Sequence, residues 1–477
     1  MPTALRAIPR YFLFLPALAI SLFGCASLHN TAMEGQSPAT AFVVLGEMGT
    51  PVARVVTAAP TCPKIKINGM DNAMNVRVNP QTLPLRPTRS APFDTKPSAF
   101  PLLVCEKFIP PHTDSISVDG RALPLPVAQV NRIVVIGDTG CRIKKADNAA
   151  QPCNDTRQYP FAALATAAAK WKPDLVIHVG DFLYRETACP EGNAGCAGSP
   201  WGYGWDAWNA DLFSPGRDLL EAAPWIMVRG NHESCTSAGQ GWWRFMDPRP
   251  LVPGRDCVMP SNDNNGDFSD PYAVPIGDDQ QIIVLDTAST PSTAIQPGDI
   301  REVKYADMYR KFDALSKQAG YNIGVNHHPI LGFAAKKDAQ GQISLLPGNG
   351  GLQSVFGAIN PTLLPSSVNV MISGHVHLWE QVSFSSQHPT QFIVGFSGTS
   401  EDIVPLPATL PSGLTPAPDA VVEHFSSWVD GFGFMTMERT GANQWDVKVW
   451  SVSGRQVNQC RIDGKKSVCV SAQVKEP

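Results

Sequence analysis

The chain has 477 residues, 43% of them hydrophobic and 17% charged, with 38 Lys and Arg against 42 Asp and Glu, the balance of an ordinary globular protein. Pro (43) and Gly (39) together make about 17% of it, short of the roughly 25–30% that marks a disordered chain; the protein is loop-rich but folded, with length for up to three domains. A formal charge of −4 with no basic runs excludes nucleic acid as an expected partner and leaves nothing to bind an anionic membrane surface.

Residues 1–10 carry Arg6 and Arg10 and no acid, and residues 11–23 are an uncharged, mostly apolar run. That run is too short to span a bilayer and predicts a signal peptide over residues 1–24. It ends in Leu22-Phe23-Gly24-Cys25, which resembles the lipobox of bacterial lipoproteins, where the cysteine takes the lipid and starts the mature chain. Phe23 stands where a small residue is usual, and ordinary cleavage nearby is the alternative. Lipidation of Cys25 would account for the odd number of cysteines, 11. It would make the protein an exported one, held to the bacterial envelope by a lipid anchor only, facing the periplasm or the exterior, with residues 25–40 as a tether.

The other cysteines fall into neighbours along the chain: Cys62 with Cys105, Cys141 with Cys153, Cys189 with Cys196, Cys235 with Cys257, and Cys460 with Cys469. No two are spaced C-x-x-C, which disfavours a zinc ribbon or a thioredoxin-like motif. Sequence permits hundreds of connectivities; nearest-neighbour disulfides in an oxidising compartment are the expectation.

Taken in chain order, residues 41–127 alternate short apolar stretches (41–45, 53–56, 76–78, 102–104, 115–118) with Pro, Gly and Asn turns and predict a small all-β domain. From residue 130 the pattern changes. Strands are predicted at 133–136, 174–179 and 225–228, with helices at 160–171 and 211–222 between them, then further strands at 281–285, 321–325, 368–372 and 391–394 and a closing β segment at 432–437 and 445–452. Strand, helix, strand at this spacing predicts an α/β fold with buried strands over residues 130–455. Residues 456–477 are expected as a tail closed by Cys460 and Cys469.

Each of five of these strands runs into a short motif rich in metal-competent side chains: Gly137-Asp138-Thr139-Gly140, Gly180-Asp181-Phe182-Leu183-Tyr184, Gly230-Asn231-His232-Glu233, Asn326-His327-His328-Pro329 and Gly374-His375-Val376-His377. Ligands gather where strands of α/β sheets end. Two Asp, a Tyr, an Asn and three or four His make a mixed oxygen and nitrogen set too rich for one ion, suited to two ions sharing a carboxylate.

Over residues 132–402 these motifs, in this order, resemble those of the calcineurin-like metallophosphoesterases, and specifically the purple acid phosphatase group. Most of that superfamily supplies a histidine two residues after the first Asp; this chain has Gly140 there and offers Tyr184 three residues after the second Asp, as purple acid phosphatases do. The resemblance implies a sandwich of mixed β-sheets flanked by helices. It also implies two metal ions: Fe(III) held by Asp138, Tyr184 and His377, and a divalent Fe, Zn or Mn held by Asn231, His327 and His375, with Asp181 as bridge. His327 rather than His328 matches the ligand because the family places it two residues before a proline, here Pro329; the family's upstream valine falls at Gly324, with Val325 one place later. The chemistry implied is attack of metal-activated hydroxide on a phosphate ester. His232 would protonate the leaving oxygen or stabilise the transition state, with Glu233 orienting it. His328, Arg142 and Arg185 stand beside motif residues and are weaker substrate-binding candidates.

Other residues have plainer explanations. His178, in an apolar strand, fits a core position. His29, His112, His388 and His424 lack motif context. The tryptophans at 201–208 and 242–243 fit either a cleft lining or a cover on the sheet, and Glu401-Asp402 either a support for the site or a solvated loop. Three functions compete: an exported phosphatase for phosphomonoesters, a phosphodiesterase with the same centre, and a non-catalytic surface-binding lipoprotein. Retention of every ligand position favours the first two. Oligomeric state is not legible.

Overall fold

The computed structural model describes residues 40–400 and 404–471. The predicted signal peptide, Cys25, His29, most of the tether, Glu401-Asp402 and the last residues lie outside them.

The N-terminal region contributes strands β1 (Thr40–Leu45), β2 (Pro51–Thr57), β3 (Asn75–Val78) and β4 (Leu103–Phe108). Strands β5 (Arg132–Ile136), β6 (Leu175–His178) and β7 (Trp225–Met227) follow, with helix α1 (Phe161–Lys170) between the first two. Next come β8 (Tyr272–Gly277), β9 (Gln280–Val284), α2 (Ile300–Ser316), β10 (Tyr321–Val325), α3 (Gly350–Ile359), β11 (Val368–Ser373), β12 (Trp379–Phe384), β13 (Thr390–Val394) and β14 (Val422–Trp428). The chain closes with β15 (Gly433–Gly441), β16 (Gln444–Ser451), β17 (Gln456–Asp463) and β18 (Lys466–Ser471).

These strands form two large mixed sheets, one of 11 strands in the order β18-β17-β16-β15-β5-β6-β7-β1-β2-β4-β3 and one of 7 in the order β8-β9-β10-β11-β13-β12-β14. The middles are parallel: β5, β6 and β7 in the first sheet, β9, β10, β11 and β13 in the second. Such strands are buried on both faces, and β5 shows how. Ile133 and Val135 point into the core between the sheets, against Ile323 and Val370, while Val134 and Ile136 point outward under α1. Helix α1 buries Phe161, Leu164, Ala165 and Ala168, the spacing of a one-faced helix. Helices α2 and α3 cover the other sheet. The result is a helix, sheet, sheet, helix sandwich.

Two expectations are refined. The N-terminal all-β region is present, but it is not a free-standing domain: β1 pairs in parallel with β7 at Val44 and Trp225 and so extends the first sheet. Arg54 and Arg77 both reach Glu106 Oε2, at 2.9 and 2.7 Å, and donate to the carbonyls of Phe245 and Trp243. The junction is short, one paired position beside the three-residue β7. Likewise residues 456–471 are a hairpin, β17 and β18, on the far edge of the same sheet, clasped by Cys460–Cys469. The helix expected at 211–222 is interrupted, with a regular turn only at Arg217–Ala222.

Candidate metal centre

The five motifs converge at the carboxyl ends of the parallel strands: Asp138 after β5, Asp181 after β6, Asn231 after β7, His327 after β10, and His375 and His377 after β11. Three of these residues hold left-handed backbone, Asp138 at φ 53°, Asp181 at φ 57° and His375 at φ 71°. Non-glycine residues pay for that conformation and keep it where surrounding structure enforces it, commonly at functional sites. Here the turns aim side chains at one point. Gly230 must be glycine because a Cβ would meet the Asp181 carboxylate. Gly140 is equally constrained: a Cβ there would lie 2.7 Å from the Tyr184 amide and 2.8 Å from Asp211 Oδ2. The loop bearing Tyr184 fills the space that a side chain at 140 would need.

The donor atoms form two groups around one oxygen. Tyr184 Oη lies 2.8 Å from Asp138 Oδ1, 2.8 Å from Asp181 Oδ2 and 3.0 Å from His377 Nε2. On the other side His327 Nε2 lies 3.1 Å from the same Asp181 Oδ2 and 3.1 Å from Asn231 Oδ1, and His375 Nδ1 lies 2.9 Å from Asn231 Oδ1. His327 Nδ1 donates to the Val179 carbonyl at 2.8 Å, so Nε2 is the nitrogen presented to the cluster. The phenol has one proton for two carboxylates, and Asn231 Oδ1 faces imidazole nitrogens that would naturally be lone-pair donors. Too many acceptors and too few protons is the chemistry of a cation site, and carboxylate, phenol, amide oxygen and imidazole together fit hard to borderline metal ions.

The same crowding shifts the protonation of the cluster. Burial and then the charges of Asp138 and Asp181 push the Tyr184 phenol well above its ordinary range, so a phenolate here requires a cation. Burial disfavours a charged His327, yet Asp181 beside it overrides this and pushes it up to about 9. Asp181 is held well below the usual carboxylate range against its burial, by His327 and His232.

His232 is buried over the Tyr184 ring, 4.0 Å between centroids, with Nε2 3.9 Å from Asp181 Oδ2. Its partner is not Glu233, as expected, but Glu186, whose Oε1 lies 2.6 Å from His232 Nδ1. Glu233 instead accepts the backbone N–H groups of Asp181, Phe182, Leu183 and Gly230 at 2.8 to 3.2 Å. It ties the Asp181 turn to the Asn231 turn, and burial followed by the Asp181 charge pushes it up to about 8. Asp211 performs the same service next door: Oδ1 accepts from Cys141 N–H at 3.0 Å and Oδ2 from Tyr184 N–H at 2.9 Å. Neither Glu186 nor Asp211 was identified from sequence. Glu186 sits two residues beyond Tyr184 in the same loop, which is the one signal that could have found it; Asp211 carries none.

The weaker candidates separate. His328 joins the cluster, its ring centroid 4.2 Å from that of His375 and its amide donating to Thr287 Oγ1. Arg142 is engaged with Asp147 at 2.9 Å, and Arg185 is buried and paired with Asp211 at 2.6 Å; the structure brings neither guanidinium to the donor cluster. His178 is a core residue, stacked on Phe182 and bonded to Thr139 Oγ1 at 2.9 Å. Trp208, Trp242 and Trp243 cover the first sheet. All five expected disulfides are formed. Cys235 and Cys257, gathered with Asp267, are therefore a disulfide and no metal site.

A two-sheet sandwich that gathers carboxylate, phenol and imidazole donors at its strand ends defines a metal-binding α/β scaffold of the phosphoesterase class. The family is specific: residues 131–378 match the family model for calcineurin-like phosphoesterases, and the chain belongs to that family. Among solved structures, a purple acid phosphatase from yellow lupin (Lupinus luteus) seeds aligns over 90% of this chain and 74% of its own with a TM-score of 0.50 at 14% identity. PhoD aligns over 92% of this chain and 93% of its own with a TM-score of 0.50 at 12% identity. At such identities the likeness is one of fold. No curated protein matches the chain.

Proposed function

We propose that this protein is an exported, purple acid phosphatase-like enzyme that hydrolyses phosphomonoesters at a centre for two metal ions. In this assignment Asp138, Tyr184 and His377 hold Fe(III), Asn231, His327 and His375 hold a divalent Fe, Zn or Mn, and Asp181 bridges them. One observation carries it: Asp181 Oδ2 is shared, 2.8 Å from the Tyr184 oxygen and 3.1 Å from His327 Nε2, so both donor groups meet at a single carboxylate. Ions bound there would polarise the phosphoryl oxygens and acidify a water for in-line attack.

The chain's own residues supply the rest. Glu233 and Asp211 fix the backbone of the loops, so the donors keep their positions when charge builds. His232, engaged through Nδ1 by Glu186, presents Nε2 toward the centre and holds the proton that a departing alkoxide needs. His375 is exposed at the mouth, marking the side from which phosphate enters. Export is supported by five disulfides, the mark of an oxidising compartment; lipidation of Cys25 remains part of the proposal. Among the described residues no helix is long and apolar enough to cross a membrane.

Metal quantitation with a visible spectrum tests the centre. The expected result is two ions per chain including iron, with a violet tyrosinate band that Tyr184→Phe abolishes. A purified chain without metal or colour would refute it. Comparing kcat/KM on 4-nitrophenyl phosphate and its bis-ester tests the substrate class; preference for the bis-ester would replace the monoesterase with a diesterase.

A further inference from the structure

The metal centre receives the reacting phosphate, but a second anionic group on a substrate would need a cation of its own, and the two arginines adjacent to the motifs do not supply it, being paired with Asp147 and Asp211. A third arginine comes from the N-terminal β region. Arg89 is exposed, and its backbone N–H donates at 2.9 Å to the carbonyl of Thr236, in the loop that carries Asn231 and His232. Its guanidinium makes no ion pair or hydrogen bond among the described residues. It stands where two cavities meet. One, of about 210 Å³, has Ser234, Thr236 and Asp267 on its walls. The other, of about 220 Å³, is walled by Phe93, Asp94, Lys144, Lys145 and Glu186. Arg89 is close enough for its charge to act on both Glu186 and His328.

The second cavity has a direction. Glu186 is the partner of His232, so this space lies on the side from which the alcohol departs. Its two lysines are committed, Lys144 to Asp147 at 3.2 Å and Lys145 to Asp94 at 3.3 Å. The unpaired fork of Arg89 is not, and a planar guanidinium binds carboxylate or phosphate in bidentate fashion. The volume equals that of roughly seven waters, enough for a small organic alcohol. We infer that Arg89 binds a second anionic group on the leaving alcohol, so that the preferred substrates are phosphomonoesters of small alcohols that also bear a carboxylate or a further phosphate. This rests on the phosphatase assignment above and adds the substrate class.

The test compares matched pairs on the metal-loaded protein: 2-phosphoglycerate against glycerol 2-phosphate for a carboxylate, and fructose 1,6-bisphosphate against fructose 6-phosphate for a second phosphate. The wild type should favour the more anionic member of at least one pair by about tenfold in kcat/KM, as for a charge-assisted hydrogen bond. Arg89→Gln should bring that ratio to near one, and Arg89→Lys should restore part of it. Arg89 is exposed and its fold contact is through the backbone, so both variants fold. Ratios near one in the wild type, or unchanged in Arg89→Gln, overturn the inference. Calorimetric binding of phosphonoacetate against methylphosphonate reads the same site without turnover. If glycerol 2-phosphate is not hydrolysed while phosphonoacetate still binds about tenfold better through Arg89, the phosphatase assignment fails and the anion subsite stands; equal binding, or none, sinks the subsite.

Discussion

The two sheets contribute unlike halves to the donor cluster. The first sheet supplies every carboxylate and the phenol, Asp138, Asp181 and Tyr184, together with the amide of Asn231. The second supplies the imidazoles His327, His375 and His377. Bracing follows the same division. Loops of the first half are cross-linked by Cys141–Cys153, Cys189–Cys196 and Cys235–Cys257, and their amides are gathered by Glu233 and Asp211. Loops of the second half carry no disulfide among the described residues and are held by hydrogen bonds instead, among them His327 N–H to Thr287 Oγ1, His327 Nδ1 to the Val179 carbonyl and His375 N–H to Asp138 Oδ2. Carboxylates gathered this close repel when no cation lies between them, whereas imidazoles are drawn toward them. The half that must be forced together is the half that is tied down.

The sharpest way to break this picture is at the shared oxygen. Asp181→Asn should cost about 4 kcal/mol of transition-state stabilisation, roughly a thousandfold in kcat, and should release metal; an active variant with full metal content would end the bridging assignment. Disulfide reduction comes next. If the three cross-links hold the anionic loops, mild reductant should lower metal affinity, by about 10- to 100-fold on the scale of lost supporting contacts, before the chain unfolds. Iron content that stays constant up to global unfolding would show that the disulfides serve stability alone. A third experiment separates the halves directly. Glu233→Gln replaces a buried acceptor of four amides and should destabilise the fold by about 3 kcal/mol, while His375→Ala, at the exposed mouth, should reduce metal content and leave thermal stability within about 0.5 kcal/mol. Equal losses of stability would erase the distinction.

What sequence revealed and what it concealed divide along the distance over which each feature is built. Gly-Asp, Gly-Asn and Gly-His turns are local, so the strand-end positions of Asp138, Asp181, Asn231 and His375 were legible, and so was the pairing of a glycine at 140 with Tyr184. The disulfides were legible because each closes a loop within one stretch of chain. The join of β1 to β7 was not, since Val44 and Trp225 meet only through tertiary structure; nor was the place of Arg89, whose backbone meets the loop after Asn231 from a region without any catalytic motif. Helix α2 was overlooked although its signal exists: Asp299 caps it by accepting from Arg301 N–H, and Tyr305, Met308, Tyr309 and Phe312 recur at helical spacing. Charged residues scattered around the rest of the helix obscure that stripe.

The smallest effect concerns the correction of the histidine's partner, and it also compares two carboxylates. Both Glu186 and Glu233 are buried, but Glu186 reaches His232 Nδ1 at 2.6 Å while Glu233 spends both oxygens on backbone amides. Glu186→Gln keeps the size and removes the charge that faces His232 Nδ1. It should lower kcat about tenfold, the part of general-acid catalysis that depends on orientation and charge. Leaving groups of low pKa should feel the change least, since they depart without a proton. Glu233→Gln should weaken the fold and leave the dependence on leaving group unchanged. A leaving-group dependence that appears with Glu233→Gln rather than Glu186→Gln would return the orienting role to the residue the sequence placed beside the histidine.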